Sequence, residues 1–515
     1  MKADRRVPGQ QAPPLLAAVD CGTSAIKAGL FRPDGGMQSF ATCPAPLTLH
    51  KDGRVETDAD LTFACVIKCL ADCAAAPEVN PGSVVGLAVT NQRATLVCSD
   101  IRGRATGPAI VWQDMRGAGE IDALRKRIDD RAYFRLTGLP NHPVFSLAKM
   151  LWLVRRQDRR ARGRTRFGLL QDYLLRRLGA KDLFCDLSNA SLTGLLDVKR
   201  LDWSDAILQL TGIHRDRLPH LVASGLAVGT LSAAAASATG LREGTPLISG
   251  GGDQQCAGLG AGAAEPGVTV VCLGTAAAPL CLAESVRRDP RMRVTCCAHA
   301  VPGRWNVEGL QNCAGASLQW LRRVTQGPGR FASSTISAAA EVPPGARGVL
   351  FYPYLDGAAA PHWDARATGA FLGLRLEHDR AALVRAVMEG VSMETREILD
   401  VFASLRLPCR EVRVTGGCST IAAWNQIQAD IYGKPVCTLA NEHATLLGAA
   451  MLAAVGAGVH ADCPAAARRM ATVRQVFAPD PGNARAYEGV YGRFREVRRQ
   501  FERVSLFERI GRVNV

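Results

Sequence analysis

The chain is 515 residues long, two or three times an ordinary domain, so at least two folding units are expected. Hydrophobic residues at 47% and charged residues at 21% exclude a disordered, collagen-like or small disulfide-stapled chain. A net charge of +15 would suit nucleic acid or an anionic surface, but arginine is scattered from Arg5 to Arg512, which weighs against a built basic patch.

The first 14 residues, MKADRRVPGQQAPP, are polar and proline-rich and read as a flexible tail. The apolar run Leu15 to Val19 stops at Asp20, too soon for a signal peptide, and reads as a strand. Ala25 to Phe31 reads as a second strand, closed by the turn Pro33-Asp34-Gly35-Gly36. Between the two strands, Asp20, Gly22, Thr23 and Ser24 bring backbone N–H groups and two hydroxyls together, a candidate phosphate turn. Cys65, Cys69 and Cys73 fall at helical spacing with no histidine near them, the pattern of a buried helix face rather than a metal site. The cysteines number 17, which excludes complete pairing within one chain and fits a reducing compartment.

Val84 to Thr90 reads as a buried strand. Thr245 to Ser249 reads as another, with Gly250 to Asp253 as its glycine-rich exit. A turn at Glu265-Pro266-Gly267 leads into a strand, Val268 to Leu273, that ends in Gly274-Thr275. A carboxylate followed by a Gly-Thr turn thus stands near the front of each half, roughly 230 to 250 residues apart. That suits two related domains, each supplying one acid and one phosphate turn, although strings this short also recur without duplication. Asp379 to Leu405 has an N-cap aspartate and apolar residues at helical spacing, and Val412 to Thr415 reads as a strand. The apolar stretch Leu446 to Val459 is too short to span a bilayer, so a cytoplasmic protein without a membrane partner is expected. Tyr487, Val490, Tyr491, Phe494, Val497, Phe501 and Val504 mark a closing amphipathic helix with a solvated basic face. The expected organisation is α/β: a tail over 1–14, domains over 15–247 and 248–482, and a C-terminal helix over 483–515.

Several segments, in order, resemble the FGGY family of carbohydrate kinases. They are AVDCGTSAIKAGLF from Ala18, TNQRAT from Thr90, PAIVWQDMR from Pro108, FSLAKMLWL from Phe145, QDYLLRRL from Gln171 and SGGGDQQ from Ser249. Then come LGT from Leu273, GASLQWL from Gly315, YPYLDG from Tyr352, TGGCSTIAAWNQIQAD from Thr415 and ATLLGAA from Ala444. The resemblance implies an actin-like ATPase fold, with two ribonuclease H-type domains around a central cleft. It also implies transfer of the γ-phosphoryl group of Mg-ATP to a hydroxyl of a small sugar or polyol.

On that resemblance Asp253 is the general base and Asp20 holds Mg²⁺, through water, because Mg²⁺ takes oxygen ligands and keeps part of its hydration. Thr23, Ser24 and Lys27 resemble phosphate contacts, Thr275 is their counterpart, Gly315 and Gln319 line the nucleotide, and Gly416-Gly417 forms the turn over its base. Arg93, Trp112, Asp253 and Gln254 match substrate positions of glycerol kinases, and Asp114 belongs to a WxDxR order shared with xylulokinases. Ala94 and Val144 stand where glycerol kinases carry a Glu and a Tyr that contact glycerol. Losing two buried partners disfavours glycerol and enlarges the pocket. A ketopentose such as D-xylulose is therefore expected, with another polyol, glycerol or the autoinducer-2 precursor as alternatives. A second copy of the chain remains open as a partner, and nucleic acid is not expected. Functions of other classes are a sugar-free actin-like ATPase and a catalytically silent regulator.

Overall fold

The structure, a computed structural model, describes residues 13–156, 165–327, 329, 331–504 and 506. Most of the expected N-terminal tail and the end of the expected C-terminal segment lie outside the described residues. The chain divides into two compact units. The first comprises Met1–Gly260, Ala298–Pro302 and Ala444–Ala471, and the second Ala261–Cys297, Gly303–His443 and Thr472–Val515.

The main sheet of the first unit contains β1 (Leu15–Cys21), β2 (Ala25–Phe31), β3 (Met37–Pro44), β4 (Val84–Asn91), β5 (Ala227–Thr230) and β6 (Pro246–Ile248), in the order β5-β6-β4-β1-β2-β3. Every residue of β1 is buried. A strand covered on both faces needs no alternation of apolar and polar residues, which is why Leu15 to Val19 is an unbroken apolar run. Helix Ala59–Ala74 packs Cys69 and Cys73 against β2, where their thiols face the carbonyls of Ile26 at 3.8 Å and Ala28 at 3.4 Å. Among the described residues, which include all 17 cysteines, there is no disulfide.

The second unit has a sheet of β7 (Gly267–Leu273), β8 (Ala277–Ala283), β9 (Thr295–Ala298), β10 (Trp305–Glu308), β11 (Cys409–Thr415), β12 (Val436–Leu439) and β13 (Val473–Phe477). Their order is β9-β10-β8-β7-β11-β12-β13. From β10 to β12 the neighbours run antiparallel, antiparallel, parallel, parallel, and so do β3, β2, β1, β4 and β6. The two units therefore share one core topology, and the β1–β2 hairpin corresponds to the β7–β8 hairpin.

That correspondence corrects one expectation. Counting back from the shared Gly-Thr turn, Asp20 corresponds to Cys272, and Asp253 lies in the first unit. Both acids belong to one unit, and the second supplies a turn without an acid.

The division also falls at Gly260 rather than near residue 247. Strand β6 pairs with β4, and helix Asp253–Gly260 packs on helix Ala444–Gly456. Glycines let the two helices approach: a Cβ on Gly260 would lie 1.9 Å from the Ala444 carbonyl oxygen, and one on Gly448 1.9 Å from that of Cys256. The apolar stretch from Leu446 is thus a core helix of the first unit. Among the described residues, no helix is long and apolar enough to cross a membrane. In the second unit, helix Arg380–Ser404 is capped by Asp379, whose side chain accepts from the Ala382 N–H. Helix Pro481–Arg503 begins slightly earlier than expected, after its own cap Asp480, and buries Tyr487, Val490, Tyr491 and Phe494 in that unit's core.

Candidate active site

Three chain segments converge where the central strands β1 and β4 of the first unit's sheet end. Asp20 and Cys21 end β1 beside Thr90 and Asn91 of β4, and Asn91 bridges to Gly252. Asp253 then opens helix Asp253–Gly260. The glycines before it have a packing reason. A Cβ on Gly250 would sit 1.8 Å from the Val89 carbonyl oxygen, and one on Gly252 2.6 Å from the Arg93 side chain. The Gly252 N–H is held by Ser188 Oγ at 2.9 Å, and Ser188 in turn hydrogen-bonds the buried Asp186. This support fixes where the Asp253 carboxylate begins.

Asp253 is partly exposed and accepts from Arg93 Nε at 3.1 Å on Oδ1, which also accepts its neighbour Gln254's N–H at 2.8 Å. Arg93 reaches Gln255 Oε1 at 3.3 Å as well, so its guanidinium braces the start of the helix. Gln254 Oε1 is buried without a hydrogen-bond partner.

Asp20 is 7% exposed, and its Oδ1 is buried without a partner. Burial pushes its pKa up to about 7; Lys27, opposite it on β2, pulls the other way, and Asp253 adds to the rise. A carboxylate left unpaired in this way costs stability unless a cation joins it. Among the described residues no cluster of three His, Cys, Asp or Glu could hold a metal. One or two carboxylates, with the remaining ligands from water and phosphate, is nevertheless the usual provision for Mg²⁺, and Asp20 fits that role.

The Gly22-Thr23-Ser24 turn joins β1 to β2. Thr23 Oγ1 donates to Gln92 Oε1 at 2.9 Å and accepts from Trp112 Nε1 at 3.0 Å, so its hydroxyl ties the turn to Trp112. Ser24 is exposed at the tip. Ala94 is buried and takes a left-handed backbone with φ of 59°.

Asp114 does not join these residues. It is fully buried, with Oδ1 accepting from Arg116 N and Nε and Oδ2 from Arg116 Nη2 and Val55 N, at 2.6–2.9 Å. Burial alone would raise its pKa, but these bonds outweigh it and hold the carboxyl below its ordinary value. With both oxygens occupied, Asp114 anchors the segment carrying Trp112 and is no sugar ligand, a correction to the sequence reading.

Lys149 was not singled out by the sequence reading, although a lysine within the apolar run FSLAKMLWL was the available signal. It is fully buried on helix Ser146–Arg156 and donates to the carbonyls of Trp112 at 3.1 Å, Pro143 at 2.8 Å and Val144 at 2.5 Å.

In the second unit, the Gly274-Thr275 turn docks on the start of helix Gly315–Gln326. The Gly315 N–H donates to the Gly274 carbonyl at 2.9 Å, and the Ala314 N–H to that of Thr275 at 2.9 Å. A Cβ on Gly315 would lie 2.5 Å from the Gly274 carbonyl oxygen. Gly416 has φ of 87°, and a Cβ there would lie 2.7 Å from the Leu273 carbonyl oxygen, whereas one on Gly417 would meet nothing within 4 Å. Thr275, Gly315, Gly416 and Gly417 are thus assembled in one place, with exposed Gln319 one helical turn beyond Gly315. Gly315 and Gly416 are glycines because the fold demands them, and Gly417 leaves open space above the turn.

With this geometry in hand, known proteins give a consistent answer. The N-terminal domain of the FGGY family of carbohydrate kinases matches residues 15–260, and the C-terminal domain of that family matches residues 270–457. The chain belongs to the FGGY family of carbohydrate kinases. A glycerol kinase of Geobacter sp. (strain M21) is 34% identical over 465 residues, covering 86% of this chain and 90% of that protein. A xylulose kinase of Bacillus subtilis (strain 168) is 30% identical over 485 residues, covering 94% of this chain and 96% of that protein. The crystal structure of xylulose kinase from Rhodospirillum rubrum superposes with a TM-score of 0.87 at 26% identity, over 96% of this chain and 100% of that one. The protein is accordingly an enzyme that phosphorylates a hydroxyl of a sugar or polyol, built on the actin-like ATPase fold, and the sugar-free reading falls away.

Proposed function

We propose that this kinase transfers the γ-phosphoryl group of Mg-ATP to a hydroxyl of a ketopentose such as D-xylulose. The observation that carries the substrate choice is the pair Ala94 and Val144, small apolar side chains next to Arg93 and the Trp112 segment. They offer no partner for glycerol's hydroxyls and leave room for a longer sugar. Glycerol is the second reading, favoured by the 34% identity to a glycerol kinase.

In this mechanism Trp112 and Gln254 line the sugar, and Arg93 fixes Asp253 against the reacting hydroxyl. Asp253 accepts the hydroxyl proton as that oxygen bonds to the γ-phosphorus and the bond to the ADP oxygen breaks. A carboxylate is a weak base toward a ground-state alcohol, so the proton moves late, once the oxygen has become acidic. Ser24, Lys27 and the Thr23 N–H contact phosphate, while the Thr23 hydroxyl braces Trp112 and the Gly22 N–H closes the turn on the Ala25 carbonyl. Thr275, Gly315, Gln319, Gly416 and Gly417 receive the nucleotide. Asp20 would hold Mg²⁺, which supplies charge neutralisation on the phosphates when bound.

The test is ADP release with Mg-ATP across D-xylulose, L-xylulose, D-ribulose, L-ribulose, xylitol, erythritol, glycerol and the autoinducer-2 precursor. A ketopentose with the highest kcat/KM supports the proposal, and glycerol with the highest value refutes the reading of Ala94 and Val144.

A further inference from the structure

Lys149 stands apart from every other basic residue near the site. It is 0% exposed, and its ammonium has no carboxylate partner among the described residues. Its contacts are backbone carbonyls: Trp112 at 3.1 Å, Pro143 at 2.8 Å, Val144 at 2.5 Å and, at the limit, Phe145 at 3.5 Å. An ammonium has three donors, and the three shortest contacts use them all. A buried cation hydrogen-bonded only to carbonyl oxygens is costly, and an apolar residue would pack helix Ser146–Arg156 at less expense.

The carbonyls that it joins come from two separate segments. Trp112 is fixed at its other end by the Nε1 bond to Thr23 Oγ1 at 3.0 Å, so ring and carbonyl are both pinned. Pro143 and Val144 belong to the loop before the helix, a loop further held by the Val144 N–H donating to His142 Nδ1 at 3.2 Å. We propose that Lys149 is a positioning residue for sugar recognition: by tying the Trp112 carbonyl to those of Pro143 and Val144, it sets the spacing between two walls of the sugar pocket. The inference rests on the reading that Trp112 and Val144 face the sugar.

Several charged groups surround this ammonium. Asp114 stabilises it, and Arg116, itself over the Trp152 ring at 5.0 Å, opposes it. His142 on the loop feels the Lys149 charge, and Glu120 and Arg125 lie on the neighbouring helix Ala118–Arg125. Burial, the largest influence, brings the Lys149 pKa down to about 7. Sugar affinity should therefore weaken as the proton leaves.

The experiment is calorimetric titration of the full chain with D-xylulose, and separately with a non-hydrolysable ATP analogue. Lys149→Met is expected to weaken sugar binding at least about tenfold, in keeping with the loss of charged hydrogen bonds, and to leave analogue binding within about twofold. Combined with Trp112→Phe, which keeps the carbonyl but loses the ring N–H, the double variant should lose less than the product of the two single losses. Unchanged sugar affinity in a folded Lys149→Met protein, or equal losses for sugar and analogue, overturns the proposal. Trp112→Ala separates the two readings: if it too leaves sugar binding unchanged, the pocket assignment itself fails.

Should Lys149→Met not fold, the Asp20→Asn protein is titrated with D-xylulose, without nucleotide or magnesium, at pH 6 and pH 8.5. That background removes Asp20, whose pKa is also brought to about 7. Sugar binding at least about threefold weaker at pH 8.5 supports the role of the ammonium, and pH-independent binding overturns it.

Discussion

Replacing Asp20 by Asn should abolish turnover and yet stabilise the metal-free protein, by an amount that depends on pH. Asp20 is buried, with one carboxylate oxygen unpartnered, and its pKa is raised from 3.8 to about 7. The folded state therefore holds this proton more tightly than the unfolded chain does. Stability from the protonated acid is fully present below about pH 4, is lost as pH rises through about 7, and is level above that. A shift of roughly three units at about 1.4 kcal/mol each gives about 4 kcal/mol in total. Asn does not ionise, so its advantage over Asp should grow by about 3 kcal/mol between pH 5 and pH 8. Any fixed difference between amide and acid cancels in that comparison. At about 2–4 °C per kcal/mol, the melting-temperature gain should be roughly 6–12 °C larger at pH 8 than at pH 5. Scanning calorimetry of both proteins in chelator, from pH 5 to pH 8, reads this directly. A melting difference that is the same at every pH would refute the argument that Asp20 is held as an unpaired buried acid. Stability forgone at a reactive carboxylate is the usual trade at functional sites.

Further outcomes follow from the same geometry. Asp253→Asn should retain nucleotide affinity while kcat falls at least about a hundredfold, the scale of lost general-base catalysis, measured by ADP release and analogue titration. Near-normal turnover would remove Asp253 from the mechanism. Ala94→Glu with Val144→Tyr should raise the ratio of glycerol to D-xylulose kcat/KM by about tenfold to a hundredfold, because each change restores a hydroxyl partner; an unchanged ratio counts against the pocket reading. Gly250→Ala places a Cβ 1.8 Å from the Val89 carbonyl oxygen. Backbone there cannot give way cheaply, so a loss of at least about 3 kcal/mol is expected, seen as a lower melting temperature in circular dichroism.

The sequence was most legible where one chemical pattern had one structural solution. The apolar run into Asp20, the Pro33 to Gly36 turn and the capped helix after Asp379 all formed as their residues imply. The convergence of Asp20, Thr23, Arg93 and Asp253 was legible through motif resemblance, and the structure supplies the physical contacts behind it. Three features were not legible. Asp114 looked like a site acid because it lies two residues from Trp112, yet its oxygens are occupied by Arg116 and Val55, a contact 59 residues away in the chain. Lys149 lay within an apolar run, where hydropathy alone gives no hint that carbonyls from two other segments surround it. The unit boundary misled because helix Ala444–Gly456 returns to the first unit, and local composition does not record which side of a chain crossing a helix packs on.

The shared strand order sharpens the division of labour between the units. Each has a hairpin with a Gly-Thr turn, followed in space by a parallel strand that leads into a second loop: Asn91-Gln92 at the end of β4, Gly416-Gly417 after β11. In the first unit the loop side chains are polar and engaged, Gln92 holding Thr23 and Arg93 holding Asp253. In the second, Asn91 and Gln92 correspond to Gly416 and Gly417, one demanded by the Leu273 carbonyl and one opening onto free space, and Arg93 corresponds to Cys418. The acid at the end of β1 is replaced by Cys272 at the end of β7. A turn without a carboxylate does not repel phosphate, and a pair of glycines admits a flat base, so the second copy is suited to hold a nucleotide. The first, with Asp20 raised in pKa chiefly by burial and further by nearby Asp253, is suited to bind a cation and take a proton. One topology thus serves two chemistries through the few side chains at its strand ends, and those positions are where a change of substrate should be sought.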